Sequence, residues 1–193
     1  MRTSWIVVAI LASVSAGLLI AKQYRSPSSV EPPLSVVETL PDFTLPDLND
    51  QPRSVTEWSG RSLIINFWAT WCAPCRREMP LLQSLQDEHD EDSLQVIGVA
   101  MDNRADAQRF ITETGVTYPI LYGVDEAAMV AESFGDEFVG LPFTAFIVPG
   151  GEILTLLSGE LDAADLRELA GEMDAIASGQ SSVAEARKRL LAN

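Results

Sequence analysis

The sequence is poor in cysteine, histidine and basic charge. Its 193 residues hold two cysteines and one histidine, His89. Cys72 and Cys75 stand three positions apart, and a loop that short does little to restrain an unfolded chain, so a structural staple fits badly. No further Cys or Cys/His pair is available to complete a tetrahedral zinc site, and a structural zinc fits no better. Redox chemistry is what remains for the pair. Apolar residues make up 47% of the chain, enough for a buried core without staples. The length suits one domain with accessory segments.

Basic residues are scarce: 13 Lys and Arg stand against 28 Asp and Glu, a net charge of −15. Arg2, Lys22 and Arg25 precede every acidic residue, so the chain beyond them is more acidic still. Such a surface repels phosphate backbones, and no nucleic-acid role is expected. The excess is spread along the whole chain. That reads as solubility or a salty habitat rather than a code for one basic partner. There is no internal repeat.

The one long uncharged run is WIVVAILASVSAGLLIA, residues 5–21. It is near the lower limit for a membrane-spanning helix. Residues 1–25 are therefore read as a signal anchor or a signal peptide, with Val14-Ser15-Ala16 as the small-residue cleavage site in the second case. Leu18 to Ala21 continue the apolar run past that point and favour the anchor. Either way the folded part lies outside the cytoplasm, where disulfide chemistry has substrates. Residues 26–39 form a Ser/Pro linker, extended and semi-rigid.

Residues 40–178 carry the folded domain. Phe43-Thr44-Leu45 reads as a short strand, and Leu63 to Trp68 as a buried strand central to a sheet. A helix follows from about Cys72 to His89, with Pro80 inside it predicting a kink. Leu94 to Ala100 is a second buried strand. Residues 103–114 are a helix stopped by Gly115. Tyr118 to Tyr122 is a short strand, and 125–134 a helix with Asp125 as N-cap. Phe143 to Val148 and Ile153 to Leu157 form a hairpin around Pro149-Gly150-Gly151. A helix from Asp162 to Ala177 closes the domain. This order predicts an α/β sheet with helices on both faces. Residues 179–193 are a tail with a short amphipathic helix, docked or loose rather than membrane-bound.

The two cysteines sit where a buried strand hands over to a helix. Unpaired N–H groups of the first helical turn then point toward the Cys72 sulfur, and the helix dipole adds positive potential. Both favour the thiolate, the attacking species. Cys75, one turn further in, cannot reach outward easily but can reach Cys72. Cys72 would attack an outside disulfide and Cys75 would resolve the mixed disulfide. Pro74 suits an early helical position. Trp71, beside the nucleophile, reads as an apolar landing surface; Trp68 reads as core.

The segment from Asn66, NFWATWCAPCRREMP, resembles the thioredoxin superfamily, and within it the membrane-tethered TlpA/ResA/DsbE group. The likeness spans roughly residues 40–178. It implies a thioredoxin fold: a central mixed sheet flanked by helices, with a mid-domain strand–helix insertion, fitting Tyr118–Phe134, and an N-terminal extension. It implies that Pro80 is the family's helix-kinking proline and that Leu141-Pro142 is its cis-proline loop, a ledge for a substrate strand. It also implies an acidic residue near the thiols at Glu78, which could move a proton or raise the pKa of Cys75 by like charge. The other reading of Glu78 is a solvated helix residue. One position departs from the pattern: cytoplasmic-type thioredoxins carry a buried aspartate where this chain has Asn66, which leaves Glu78 more to do.

The function expected is a dedicated extracytoplasmic disulfide reductase, at the bacterial inner membrane and facing the periplasm or cell exterior. Apocytochrome c or metal-delivery cysteines would be its substrates, and a membrane donor of the DsbD/CcdA type would re-reduce it. The Cys72–Cys75 disulfide serves in place of any cofactor, and no metal is expected. The rivals are a dithiol oxidase of the same fold, a peroxidase, whose pocket W-C-A-P-C does not resemble, and a copper- or client-binding module. Two Cys could hold Cu(I), but His89 sits on a charged stretch and is expected to be solvated.

Overall fold

A computed structural model describes residues 37–192. The anchor or signal segment and most of the Ser/Pro linker lie outside those residues. Among the described residues no helix is long and apolar enough to cross a membrane.

The elements run β1 (Thr44–Pro46), β2 (Pro52–Ser54), a 3-10 turn (Val55–Trp58), β3 (Ser62–Trp68), α1 (Ala73–Asp87), β4 (Leu94–Ala100), α2 (Arg104–Thr114), β5 (Ile120–Tyr122), α3 (Asp125–Glu132), β6 (Phe143–Ile147), β7 (Ile153–Ser158), α4 (Ala163–Ala177) and α5 (Val183–Leu190). β1 and β2 form a small antiparallel ribbon, and the other five strands make one sheet in the order β5-β4-β3-β6-β7. β3 pairs parallel with β4, and β4 with β5; β6 pairs antiparallel with both β3 and β7. This is the mixed sheet expected for a thioredoxin fold. The strand–helix insertion is β5 with α3, and β1–β2 is the N-terminal extension.

The sheet is central because its middle strands are apolar on both faces. β3 and β4 are buried at every residue. Strand side chains alternate between faces, and two cores result. Ile64, Trp68, Val96 and Phe146 face α1, α2 and α4 with both cysteines. Leu63, Ile65, Phe67, Val99 and Phe143 face α3 with Phe43, Leu45 and Trp58 of the extension. The parallel β3–β4 and β4–β5 crossovers put α1 and α2 on one side, as right-handed connections require.

Several helix boundaries follow from their caps. Asn103 caps α2 through Asp106, and Gly115 ends it in the left-handed conformation at φ 73°. Asp162 and Asp165 form a reciprocal capping box at α4, as Ser182 and Glu185 do at α5. One expectation is corrected. Asp125 is not the N-cap of α3; Val124 holds that position without a side-chain bond, and Asp125 is the first helical residue. An acidic side chain in the first turn still meets the positive end of the dipole.

The tail helix is docked. Ala186 is fully buried, and the Arg187 guanidinium donates to the carbonyls of Ile153 and Leu154 on β7. Arg189 pairs with Glu172 of α4.

Gly98 lies opposite Asn66 in the middle of the sheet. A Cβ there would stand 2.6 Å from Ile120 Cδ1, 3.0 Å from Trp68 Nε1 and 3.1 Å from Tyr118 Cε2. Its glycine is a packing requirement. Gly98→Ala is expected to cost about 1–3 kcal/mol through overpacking, read as a lowered urea midpoint with an unchanged slope.

Candidate active site

β3 runs into the thiol motif. After Trp68 the chain turns through Ala69-Thr70-Trp71, and the Thr70 amide donates to Asp102 Oδ2 at 2.6 Å. Cys72 is the N-cap of α1, and its sulfur accepts the Cys75 amide at 3.3 Å. Unpaired N–H groups at a helix start seek such acceptors. Cys72 and Cys75 are joined in a disulfide. Cys75 is fully buried and Cys72 is 5% exposed, while Trp71 beside them is 72% exposed. Cys72 is thus slightly less buried than Cys75, and the indole beside it is exposed. Trp68 is wholly buried. Pro74 sits in the first turn, and α1 continues through Pro80 as one helix.

The Leu141–Pro142 peptide bond is cis. β6 begins at the next residue, and Phe143 is paired with Phe67 of β3. Pro142 therefore stands at the end of the sheet from which β3 delivers the thiols. Leu141, half-buried, packs against the cluster that contains both cysteines. The Pro142 carbonyl accepts the Gly159 amide at 2.8 Å.

Glu78 is not a solvated helix residue. It is fully buried, one helical turn beyond Cys75 on the face that meets the sheet. Asn66 Nδ2 donates to its Oε1 at 2.7 Å, and the Leu161 amide donates to its Oε2 at 3.0 Å. Burial pushes its pKa up from 4.5 to about 7, against the pull of those two donors. A lone buried carboxylate would be pushed further; donors to the charged form hold it back.

Asn66 explains itself here. Its Nδ2 also donates to Thr144 Oγ1 at 3.0 Å, across the β3–β6 pairing. An aspartate at 66 would set two carboxylates against each other, where the amide supplies a donor. The sequence marks Asn66 and Glu78 as separate positions and does not disclose that they bond. The alternation of Ile64, Asn66 and Trp68 on one strand face was the available signal. Leu161's amide, a backbone group from a loop 83 residues away, left none.

His89 is not simply solvated. Its Nδ1 lies 2.9 Å from the Leu85 carbonyl oxygen and its Nε2 3.4 Å from Asp174 Oδ2. Among the described residues no group of three or more His, Cys, Asp or Glu is placed to hold a metal ion.

Residues 36–170 match the model of the family described as Redoxin. The chain belongs to the Redoxin family. Among curated relatives, the thiol-disulfide oxidoreductase ResA of Geobacillus thermodenitrificans is 30% identical over 137 residues, 70% of this chain and 76% of that one. The ResA of Oceanobacillus iheyensis is 32% identical over 151 residues, 76% and 75% of the two chains. Among solved structures, the thioredoxin domain of a thiol-disulfide oxidoreductase from Bacteroides vulgatus superposes with a TM-score of 0.62 at 25% identity, covering 72% of this chain and 97% of that one. This Redoxin protein is a ResA/DsbE-like member of the thioredoxin superfamily and a thiol–disulfide oxidoreductase, with protein thiols and disulfides as its substrates.

The raised pKa of Glu78 has a stability consequence. The fold disfavours its charged form, so the fold loses stability as pH rises from about 4.5 to about 7 and no more above that. The cost is about 3 kcal/mol when complete. Glu78→Gln, which cannot ionise, is expected to escape it. The stability gap between variant and wild type, from urea unfolding of the oxidised proteins, should widen across that window and then stay flat. A gap independent of pH would contradict this account.

Proposed function

We propose that the protein is an extracytoplasmic disulfide reductase that serves a small set of client proteins, with Cys72 as attacker, Cys75 as resolver and Glu78 as the group that takes the resolving thiol's proton. The observation that carries this reading is the buried Glu78 carboxyl, one turn beyond Cys75 and held with a pKa of about 7. A base poised near neutrality suits proton transfer at ordinary pH.

In the cycle, the Cys72 thiolate attacks one sulfur of a client disulfide. That S–S bond breaks, a Cys72–client bond forms, and the departing client sulfur takes a proton. The Cys75 thiol gives its proton to the Glu78 carboxylate and attacks the Cys72 sulfur. The client leaves with both sulfurs reduced, and the enzyme is left as the Cys72–Cys75 disulfide. Two electrons have passed to the client, and a dithiol donor must return them. A membrane donor of the DsbD/CcdA type fits that step, and the disulfide needs no further cofactor. Trp71 offers an apolar landing surface, and Leu141-Pro142 offers the ledge for an extended client segment.

The apolar run 5–21 between Arg2 and Lys22 supports a signal anchor, with cleavage after Ala16 as the alternative, and with the domain facing the periplasm or cell exterior. Cysteines of apocytochrome c or of a metal-delivery protein are the clients this reading favours.

Two measurements test it. Cys75→Ser, made in the native membrane, is expected to accumulate client proteins disulfide-linked to Cys72, from a narrow set; a random sample of exported proteins would contradict a dedicated role. The Cys72–Cys75 reduction potential is expected in the reducing range. A value near about −120 mV, where strong oxidants lie, would make the protein an oxidase instead.

A further inference from the structure

Three residues, Gly159, Glu160 and Leu161, lead from β7 toward the N-cap of α4, and each holds a different part of the site. The Gly159 amide donates to the Pro142 carbonyl at 2.8 Å. Glu160 receives both prongs of the Arg77 guanidinium, Nε on Oε1 at 2.8 Å and Nη2 on Oε2 at 2.5 Å. The Leu161 amide donates to Glu78 Oε2 at 3.0 Å. Arg77 and Glu78 are adjacent on α1, and Glu160 and Leu161 are adjacent on the strap. The two contacts are thus consecutive rungs between the same two segments, the outer one at the surface and the inner one in the core.

As a source of stability the outer rung counts for little. Its side chains are 60% and 36% exposed, and exposed pairs of that kind are screened and entropically costly. Geometry is what a two-pronged guanidinium–carboxylate pair supplies, because the planar fork fixes direction as well as distance. The inner rung needs such fixing. An amide withdrawn by a fraction of an ångström leaves a buried carboxylate short of a donor, and the packing of the Leu161 side chain in the same core as Met79 and Leu82 fixes no hydrogen-bond direction.

We propose that Arg77 and Glu160 are positioning residues for the thiol chemistry, a surface clamp that keeps the strap in register with α1 so that Leu161's amide stays on Glu78 while Gly159's amide stays on Pro142. The inference rests on the reading of Glu78 as proton handler. It means that the client ledge and the proton-handling carboxylate share one three-residue support. The groups that face Glu78 are Asn66 from β3, Thr144 beyond it on β6, Tyr118 ahead of β5, Cys75 on α1 and Glu160 on the strap. The Tyr118 phenol is pushed far up by burial, and Glu160 is held down by Arg77. Both therefore keep one charge state through the neutral range.

The test separates position from charge. Glu160 raises the Glu78 pKa slightly through its own negative charge, so deleting only that charge would lower it. Loss of the clamp would raise it. In the full-length chain in detergent, Glu160→Gln is expected to raise the Glu78 pKa by about half a unit or more. The reading would come from the side-chain carboxyl carbon shift, assigned by its disappearance in Glu78→Gln. Arg77→Lys, which keeps the charge and loses the fork, is expected to move it part of the way in the same direction. Melting temperatures of the oxidised variants should stay within about 2 °C of wild type, as for surface pairs generally. An unchanged or lowered Glu78 pKa in Glu160→Gln overturns the clamp, as does a rise found only with a collapsed melting temperature. The pH profile for reduction of oxidised glutathione keeps the two claims apart. If Glu78→Gln retains the wild-type profile, the proton-handling reading falls. If Glu78→Gln changes the profile and Glu160→Gln does not, the clamp alone falls.

Discussion

A carboxyl group in the dry centre of the protein is the constraint around which the site is built. An isolated charge there would be forced to neutralise. Glu78 escapes that outcome only in part, because two donors reach it: the Asn66 side chain from the middle strand and the Leu161 amide from the strap. Each donor needs a rigid support. Asn66 stands between Gly98 and Thr144 in the central row of the sheet and is fully buried. Leu161 is held at the entrance to α4. The result is a carboxyl balanced near neutrality. Had burial acted alone it would be an inert acid; had the donors dominated it would be a fixed charge.

The same helix sets the two sulfurs in unlike surroundings. Cys72 caps α1, with the Cys75 amide on its sulfur, so the positive end of the helix faces it. Cys75 lies inside the core with Glu78 one turn beyond. A helix start favours a negative sulfur and a nearby carboxylate opposes one. The proposed division into attacker and resolver follows from that gradient along one turn of helix. It requires the strand–helix junction as much as the cysteines themselves.

Much of this was legible in the chain. β4 matches to the residue, because a seven-residue run that is apolar or small at every position but Gln95, set between turn signals, reads as a buried strand. The hairpin at Pro149-Gly150-Gly151 and the caps Asp162 and Gly115 carry local chemistry that short-range reasoning detects, whereas Asn103, read as the first helical residue, is the N-cap. The redox pair was legible from its isolation and its place between strand and helix. What could not be read were contacts set by tertiary approach. Glu78 looks like any acidic residue on a charged helix until Asn66 and Leu161 come against it. Asp125 looks like a cap, yet the turn after β5 places Val124 there. The cis bond at Pro142 came from resemblance, since few X–Pro bonds are cis and local sequence does not mark them.

Both edges of the sheet are covered by short contacts. Edge strands are templates for unwanted pairing. Here β5 is bridged by Asp47 against Leu121, and Tyr122 is tied to Asp50. β7 is bridged at Glu152 by Thr39 and takes a bond from Ile153 to the Glu38 carbonyl. Arg187 of the tail helix then covers the Ile153 and Leu154 carbonyls. An enzyme that grips extended, cysteine-bearing segments must pair with them at the thiols and nowhere else. Short bridges and a docked tail blunt both flanks, and on the proposed reading Leu141-Pro142, where Leu141 packs against the cluster that holds both cysteines, is the place where such pairing is useful. The tail helix thus removes two free acceptors from the start of β7, where another strand could otherwise add.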